Sequence, residues 1–300
     1  MNKLSPMEAS FDRWPGLFAA ALKQKFGPKL LAILLYGSYL RGKRDTVLDF
    51  YVIVSDYRNP DRSCRAFANW ALPPNVYNLV LTDQGEKAMA KYAVVSEKQF
   101  TQSLQRDFTP YFWARFCQPS HLLYAHGSLS LGNTRAIEQV AGHTMLHNVL
   151  PLMPVTFSDH ELWEGAFRLT YQCELRSEGA SKPAELYRLY EAHLVQLTES
   201  LAADLGLTRL STGEWYKTRN SEGSPINRVA WAARMVVGKL LCALRLIKAA
   251  FTFNDALAYV LWKVERHSGI RVEATESQHA RPLIYAWPVI WRLFRLGGFK

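Results

Sequence analysis

Two short apolar runs joined by a polar link constrain this fold more than any other feature of the sequence. The first run, KLLAILLYG, covers residues 29–37, and the second, TVLDFYVIVS, covers residues 46–55. The second run is rich in Val, Ile, Tyr and Phe, which favour strands, and it stops at a polar segment. The sequence therefore predicts two adjacent buried strands. A Gly-Ser turn follows the first, and a lone carboxylate, Asp49, opens the second.

The pattern around these runs predicts a small mixed α/β domain over residues 1–125. Residues 11–25 have apolar side chains at helical spacing, and NVYNLVL at 75–81 is a third strand candidate. The stretch at 100–116 has a helical pattern apart from Pro110. Helix, strand, turn, strand, loop and strand therefore follow one another in the first part of the chain.

After residue 125 the pattern becomes helical. Ser158 is predicted to cap a helix in DHELWEGAFRLTYQCEL, and the clearest internal linker covers residues 211–225. We expect a mostly helical domain over residues 126–254 that closes a cleft. A basic and aromatic helical tail is expected over residues 255–300. The predicted fold class is α+β.

The net charge limits the kinds of partner. The chain has 36 basic and 26 acidic side chains, which leaves a formal charge of +10. This balance indicates nucleic acid, an anionic membrane surface or a phosphate-rich substrate, unless the protein is simply a basic soluble one. The four cysteines are far apart, so we expect neither a zinc site nor a disulfide framework.

No membrane-spanning helix is expected, because no stretch approaches about 18 uncharged apolar residues. The first residues, MNKLSPMEASFDRW, also lack the apolar region of a signal peptide. The expected location is the cytoplasm, with the protein peripheral to the inner (cytoplasmic) membrane.

The Gly-Ser turn and the strand carboxylate suit phosphate chemistry. A glycine lets the backbone come close to a phosphate, and backbone N–H groups and a hydroxyl can bind it. A carboxylate on the neighbouring strand can hold Mg²⁺ against the same phosphates. The alternative is an ordinary turn next to an aspartate that caps its strand.

This arrangement resembles the nucleotidyltransferase superfamily. In that superfamily a Gly-Ser pair is followed, about ten residues later, by an aspartate on the next strand. A second acid usually lies two residues on, on the same face of that strand. Here Tyr51 occupies this position.

A succession of segments resembles the mitochondrial-type phosphatidate cytidylyltransferases, the translocator-assembly-and-maintenance family. That family also lacks the usual second acid, so Tyr51 is a family trait in this interpretation. The resembling segments cover residues 34–253. They are LLYGSYLRG with LDFYVIVSD, NVYN at 75–78, KYAVVS at 91–96, YFWARFCQP at 111–119, LPLMPVTFSDHELWEGAFRLTYQCELR at 150–176 and LRLIKAAFTF at 244–253.

The resemblance implies an α/β nucleotidyltransferase domain that converts CTP and phosphatidate to CDP-diacylglycerol and pyrophosphate with Mg²⁺ or Mn²⁺. It also implies roles for particular residues. These are Asp49 and Asp56 as metal ligands, Tyr36, Gly37, Ser38, Lys91 and Arg115 in nucleotide binding, Asp49, Lys91, Glu174 and Arg176 in catalysis, and Lys248 at a lipid phosphate.

Several of these residues have a plainer interpretation. Asp56 lies seven residues after Asp49, so it shares a metal only if the chain curls back; otherwise it is a solvated loop acid. Lys91 and Lys248 can extend into solvent. Glu174 and Arg176 share a face only on an extended stretch and diverge on a helix, where each would make a surface ion pair.

The tail is predicted to bind a membrane surface. Its uncharged run at 282–291 is too short to span about 30 Å of hydrocarbon. Tyr285, Trp287 and Trp291 favour the headgroup level, and Arg292 and Arg295 attract anionic lipid. Alternatively, these aromatic side chains pack back on the helical domain.

Other functions remain open from the sequence. One is a basic module of the same fold that binds a nucleotide or nucleic acid without turnover. Another is a nucleotidyltransferase acting on tRNA, a small molecule or a protein. Nucleic acid is not the expected partner, because the densest basic and aromatic mixture also contains bulky aliphatic residues, which suit a bilayer better than a base stack.

Overall fold

The computed structural model describes most of the chain between residues 13 and 252. The described residues are 13–43, 46–56, 69–127, 131–175, 181–218 and 225–252, with 272, 275, 288, 291, 292 and 295. Within these ranges helices and strands both occur in quantity, which confirms the predicted α+β class.

The helices and strands follow each other in the order that the sequence predicts for its first part. The helices are α1 (Arg13–Phe26), α2 (Glu97–Arg106), α3 (Trp113–Phe116), α4 (Thr134–Val149), α5 (Asp159–Gln172), α6 (Lys182–Leu205) and α7 (Pro225–Thr252). The strands are β1 (Leu30–Tyr36), β2 (Leu48–Val54), β3 (Asn75–Asp83), β4 (Glu86–Ser96), β5 (His121–Ala125), β6 (Thr156–Phe157), β7 (Leu207–Arg209) and β8 (Trp215–Lys217).

In the described ranges, five strands form one mixed sheet in the order β3-β4-β2-β1-β5. β2 and β4 run parallel, and the other neighbours are antiparallel. β1 and β2 are the two predicted strands, and they lie at the centre of the sheet. Both are buried over almost their whole length, which explains why their sequences are apolar on both faces.

The two faces of β2 pack against different layers. Phe50 contacts Phe18 of α1, with their ring centroids 5.8 Å apart. Tyr51 and Ile53 point to the other side and join the core formed with the later helices. Alternate residues of a strand point to opposite faces, so the odd-numbered positions of β2, including Asp49, face the helical layer.

The sheet and the helical layer share one hydrophobic core. Ile53 of β2, Trp113 of α3, Met145 of α4 and Trp163 of α5 belong to the same buried cluster. The boundary at residue 125 thus marks a change from strands to helices within a shared core, and the division into domains stays a prediction.

α5 begins where the sequence predicts. The Ser158 hydroxyl accepts a hydrogen bond from the Glu161 backbone N–H at 3.2 Å, and the Glu161 carboxylate accepts one from the Ser158 N–H at 2.8 Å. This reciprocal capping box satisfies two backbone donors at the start of the helix. The predicted cap is confirmed.

The predicted linker at 211–225 is wrong in part, because β8 lies inside it. β8 pairs with β6 and β7 in a small second sheet. Trp215 donates from Nε1 to Asp159 at 2.9 Å, and Lys217 donates to the carbonyls of Leu150 and Met153. A strand of three residues has too little pattern to be recognised from sequence.

One face of α7 is fastened to the rest of the protein. Trp231 donates from Nε1 to the Asn148 carbonyl at 2.9 Å. A Cβ added at Gly238 would lie 2.5 Å from the Cys173 carbonyl oxygen, so glycine allows close approach there. Arg234 donates to the Phe108 carbonyl at 3.0 Å.

Among the described residues, no helix is both long and apolar enough to cross a bilayer.

Candidate active site

A row of four polar residues crosses the sheet at the end of β1. Tyr36 lies opposite Asp49, Asp49 lies opposite Lys91, and Lys91 lies opposite Asn78. Residues directly opposite one another in a ladder share a face of the sheet. The four side chains therefore stand side by side on the face that meets the helical layer.

Gly37 holds the Asp49 carboxylate against the turn. Its backbone has φ +87° and ψ −152°, a conformation that is almost restricted to glycine. A Cβ added at Gly37 would lie 3.0 Å from Asp49 Oδ2. The sequence predicts that the glycine lets a ligand approach the backbone. In the structure, the group closest to this position is the Asp49 carboxylate.

Positive charge surrounds Asp49. Burial raises the pKa of its carboxyl above the ordinary value, and in the described part of the chain Lys91, Arg115 and Arg41 oppose this shift. One carboxylate thus lies within a cluster of three cations. Because the positive charges outnumber the one negative charge, this cluster attracts a polyanion such as a triphosphate.

Arg115 reaches this cluster from α3. Its guanidinium carbon lies 5.2 Å from the ring centroid of Tyr36 and 5.2 Å from that of Tyr111. Its buried Nε has no hydrogen-bond acceptor within the part of the chain that the structure describes. Stacking between two rings holds the group in place, and planar guanidinium groups bind phosphate oxygens well.

Glu174 is linked to the candidate site through Arg115. It follows α5, and its charge acts on the Arg115 guanidinium. The groups that act on Asp49 are basic. The predicted catalytic role of Glu174 stays a prediction. Arg176 lies outside the described residues.

Asp56 lies away from this site. β2 ends at Val54, so Asp56 follows the opposite end of the strand from Asp49, and it is exposed. At about 3.3 Å per strand residue, the two aspartates are separated by roughly 20 Å. They cannot bind one metal ion, and the sequence prediction of a shared metal is wrong because a straight strand carries the chain away.

Tyr51 fills the position of the usual second acid for a packing reason. It is buried, and its ring centroid lies 4.8 Å from that of Phe116 and 5.1 Å from that of Tyr36. An ionised carboxylate here would face aromatic rings at a high desolvation cost. The local core therefore excludes a second metal ligand at this position.

The residues around Asp49 do not form a complete metal site by themselves. The described residues include no group of three or more Asp, Glu, His or Cys side chains arranged to hold a metal ion. Mg²⁺ is often bound by one or two carboxylates together with substrate phosphates. Within the described part of the chain, Asp49 fits as a ligand of a metal that arrives with a phosphate substrate.

Ser38 starts the 3₁₀ turn Ser38–Arg41 that follows Gly37. Its hydroxyl lies 2.9 Å from the hydroxyl of Thr46, across the loop that leads to β2. The Ser38 hydroxyl therefore has a hydrogen-bond partner in the loop and also lies next to Gly37 in the candidate site.

Under the expectation from sequence that CTP binds here, replacing Ser38 with alanine should weaken CTP binding or transfer by about 1–3 kcal/mol, because a phosphate oxygen loses a donor. Titration of CTP in binding and turnover assays measures the loss. Thr46→Val is the matched control, since it removes the partner hydroxyl and keeps Ser38. An equal loss in both variants would assign the effect to the loop and not to a phosphate contact.

Lys248 does not face a lipid phosphate. It is only 8% exposed, and its ammonium donates to the Leu72 carbonyl, to the Pro74 carbonyl at 3.1 Å and to Asn75 Oδ1 at 2.9 Å. The lysine fastens α7 to the segment before β3. The predicted lipid contact is wrong because partners more than 170 residues away in sequence enclose the side chain.

Lys248→Met is expected to lower the free energy of unfolding by about 1–3 kcal/mol, because buried acceptors lose their donor. Urea denaturation followed by circular dichroism measures this change. Lys239→Met, on the exposed side of the same helix, is the control and should stay within about 0.5 kcal/mol of the wild type. Equal stability of the two variants contradicts the assigned role.

Part of the predicted membrane tail lies within the described residues. Trp291, Arg292 and Arg295 are helical and exposed. Tyr285 and Trp287 lie outside the described residues. The predicted membrane contact of the tail stays a prediction.

The sequence interpretation missed three members of the site. Arg41 lies three residues after Ser38, Asn78 ends the NVYN segment, and Tyr111 opens the YFWARFCQP segment. All three lie in segments that already carried the resemblance, so their position there was the available signal.

Comparison with known protein families and with curated proteins finds no match for this chain.

Proposed function

We propose that this protein transfers a cytidylyl group from CTP to phosphatidate, which yields CDP-diacylglycerol and pyrophosphate. The observation that carries the proposal is Asp49 held against the Gly37 turn, with Lys91, Arg41 and Arg115 around it. This arrangement suits a nucleoside triphosphate bound with one metal ion. The choice of CTP and phosphatidate comes from the resemblance of the ordered sequence segments.

The proposed reaction needs positioning and charge neutralisation more than a strong base. An anionic oxygen of the lipid phosphate attacks the α-phosphorus of CTP, and the bond to the bridging oxygen breaks as pyrophosphate leaves. Lys91 and Arg41 neutralise charge on the phosphates beside Asp49, and Arg115 binds a phosphate oxygen from the helical side. Asp49 would hold a Mg²⁺ or Mn²⁺ ion that arrives with the triphosphate, and the ion would neutralise further charge on the leaving group.

Incubation with α-labelled CTP, phosphatidate vesicles and Mg²⁺ tests the proposal. The expected products are a labelled lipid that migrates as CDP-diacylglycerol and pyrophosphate in equal amount. Parallel reactions with tRNA, protein or a small hydroxyl compound as acceptor test the other transferase activities. Labelled product with one of these acceptors and none with phosphatidate rejects the lipid substrate but keeps the reaction class.

A second function is favoured by the scarcity of carboxylates. Among the described residues, three cations and no second acid act on Asp49, which also suits a protein that binds a nucleotide and does not turn it over. Such a protein binds CTP equally well with Mg²⁺ or with EDTA and releases no pyrophosphate. Calorimetric titration under both conditions distinguishes it from the transferase, whose binding tightens with the metal.

A further inference from the structure

The long helix α7 carries an exposed apolar stripe. Within its described residues, seven large aliphatic side chains are 38–73% exposed. Leu246 lies on another side of the helix, and the other six recur at spacings of three, four or seven residues. They are Ile226, Val229, Val236, Leu240, Leu244 and Ile247. At 1.5 Å per residue the stripe is about 30 Å long. Single exposed aliphatic residues are ordinary, but a continuous stripe of this length marks an interaction surface.

The stripe cannot turn inward, because the opposite face of α7 is held by specific contacts. Trp231 is 2% exposed and packs edge-on against Trp113, and Lys248 is hydrogen bonded to the segment before β3. Close packing at Gly238 against Cys173 leaves no room for rotation of the helix. Among the described residues, the stripe therefore stays exposed.

The charge of α7 favours an anionic bilayer over a second copy of the chain. The helix sequence has five basic residues and no acidic one. Arg234, Arg245 and Lys248 contact the rest of the protein. Two copies packed through this helix would bring together the remaining basic residues, Arg228 and Lys239, whereas an anionic lipid surface complements them. Arg228 and Lys239 are exposed, so they are available to headgroups. An aliphatic stripe combined with basic residues is typical of helices that lie in a membrane interface.

The same helix reaches the candidate active site. Arg245 of α7 lies over the ring of Tyr111, with its guanidinium carbon 4.3 Å from the ring centroid. Arg115 stacks on the same tyrosine at 5.2 Å. A helix is about 10 Å across, so the stripe and the site lie on two sides of one element.

We propose that α7 lies in the interface of an anionic membrane with this stripe among the lipid acyl chains, and that it holds the Asp49 site close to the headgroups. The evidence for the membrane contact is the surface of α7, and it does not depend on the proposed function. Only the delivery of a lipid phosphate to the site rests on the proposed function. The proposal places the main membrane contact on α7 instead of the tail at 282–295.

Flotation of the full chain with vesicles tests the proposal. One set of vesicles contains phosphatidylcholine alone, and the other contains phosphatidylcholine with phosphatidylglycerol. The wild type should float mainly with the anionic set. The triple variant Val236→Gln, Leu240→Gln, Ile247→Gln should lower its partition coefficient by about tenfold or more. Its melting temperature should stay unchanged because all three side chains are exposed.

The matched control is the double variant Val80→Gln, Leu189→Gln, which removes similarly exposed aliphatic side chains from β3 and α6. It should float like the wild type. The proposal is overturned if the triple variant floats undiminished, or if Trp287→Gln, Trp291→Gln abolishes flotation while the triple variant keeps it. Light scattering measures the oligomeric state of the same proteins. If the wild type is a dimer, the triple variant is a monomer and neither protein floats, the stripe binds a second copy of the chain, and the membrane proposal is overturned.

The two proposals fail in different ways. If the wild type floats and the triple variant does not, while neither releases pyrophosphate from CTP, the membrane contact holds and the proposed transfer is rejected. If the triple variant no longer floats but still uses a short-chain, water-soluble phosphatidate, both proposals are supported.

Discussion

Asp49→Asn is expected to abolish the proposed nucleotide transfer, with a loss of about a thousandfold or more, while the fold is kept. An asparagine of nearly equal shape still fits against Gly37, but its neutral amide binds Mg²⁺ poorly. Transfer from labelled CTP to phosphatidate measures the loss. Asp56→Asn is the matched control, since that exposed aspartate lies at the other end of β2 and its variant should keep full activity.

The same variant should not be less stable than the wild type near neutral pH. Burial raises the pKa of Asp49 in the folded state, so the folded protein holds its proton to a higher pH than the unfolded chain does. The wild type therefore loses stability as the pH rises from the ordinary carboxyl pKa to the raised one. Asp49→Asn should remove this decrease in urea denaturation at a series of pH values. A wild type that gains stability over this range contradicts the assignment.

Gly37→Ala is expected to impair both activity and stability. Alanine is strained at φ +87° and ψ −152°, at a cost of about 1–3 kcal/mol. Its Cβ would also lie 3.0 Å from Asp49 Oδ2, so the carboxylate must shift. Displacement of Asp49, the proposed metal ligand, should lower turnover by about a hundredfold. Steady-state kinetics and thermal denaturation measure the two effects separately.

Gly42→Ala is the matched control for this change. Gly42 closes the same turn with φ +80°, but a Cβ there meets no atom within 4 Å. Its variant should lose stability through backbone strain and keep its turnover. Loss of turnover in Gly42→Ala equal to that in Gly37→Ala would assign the effect to the loop as a whole and not to the position of Asp49.

The sequence predicted the features that depend on local pattern. β1, β2 and the cap at Ser158 are confirmed because apolar runs and capping residues act through neighbours a few positions away. It also paired the Gly-Ser turn with Asp49, which the strand register confirms by placing Tyr36 opposite Asp49. Two adjacent strands joined by a short link pair in the antiparallel sense for simple geometric reasons.

Only the tertiary structure decided which distant groups meet. Asp56 is close to Asp49 in sequence but lies at the far end of a straight strand, and Lys248 is enclosed by carbonyls from the segment before β3. Arg115 reaches Tyr36 and the Asp49 site through the packing of helices on the sheet, which no local pattern encodes. The exposure of the α7 stripe was also decided by the tertiary structure. An amphipathic pattern fixes which side chains share a face, but the packing of Trp231 and Gly238 decides which face is left outside.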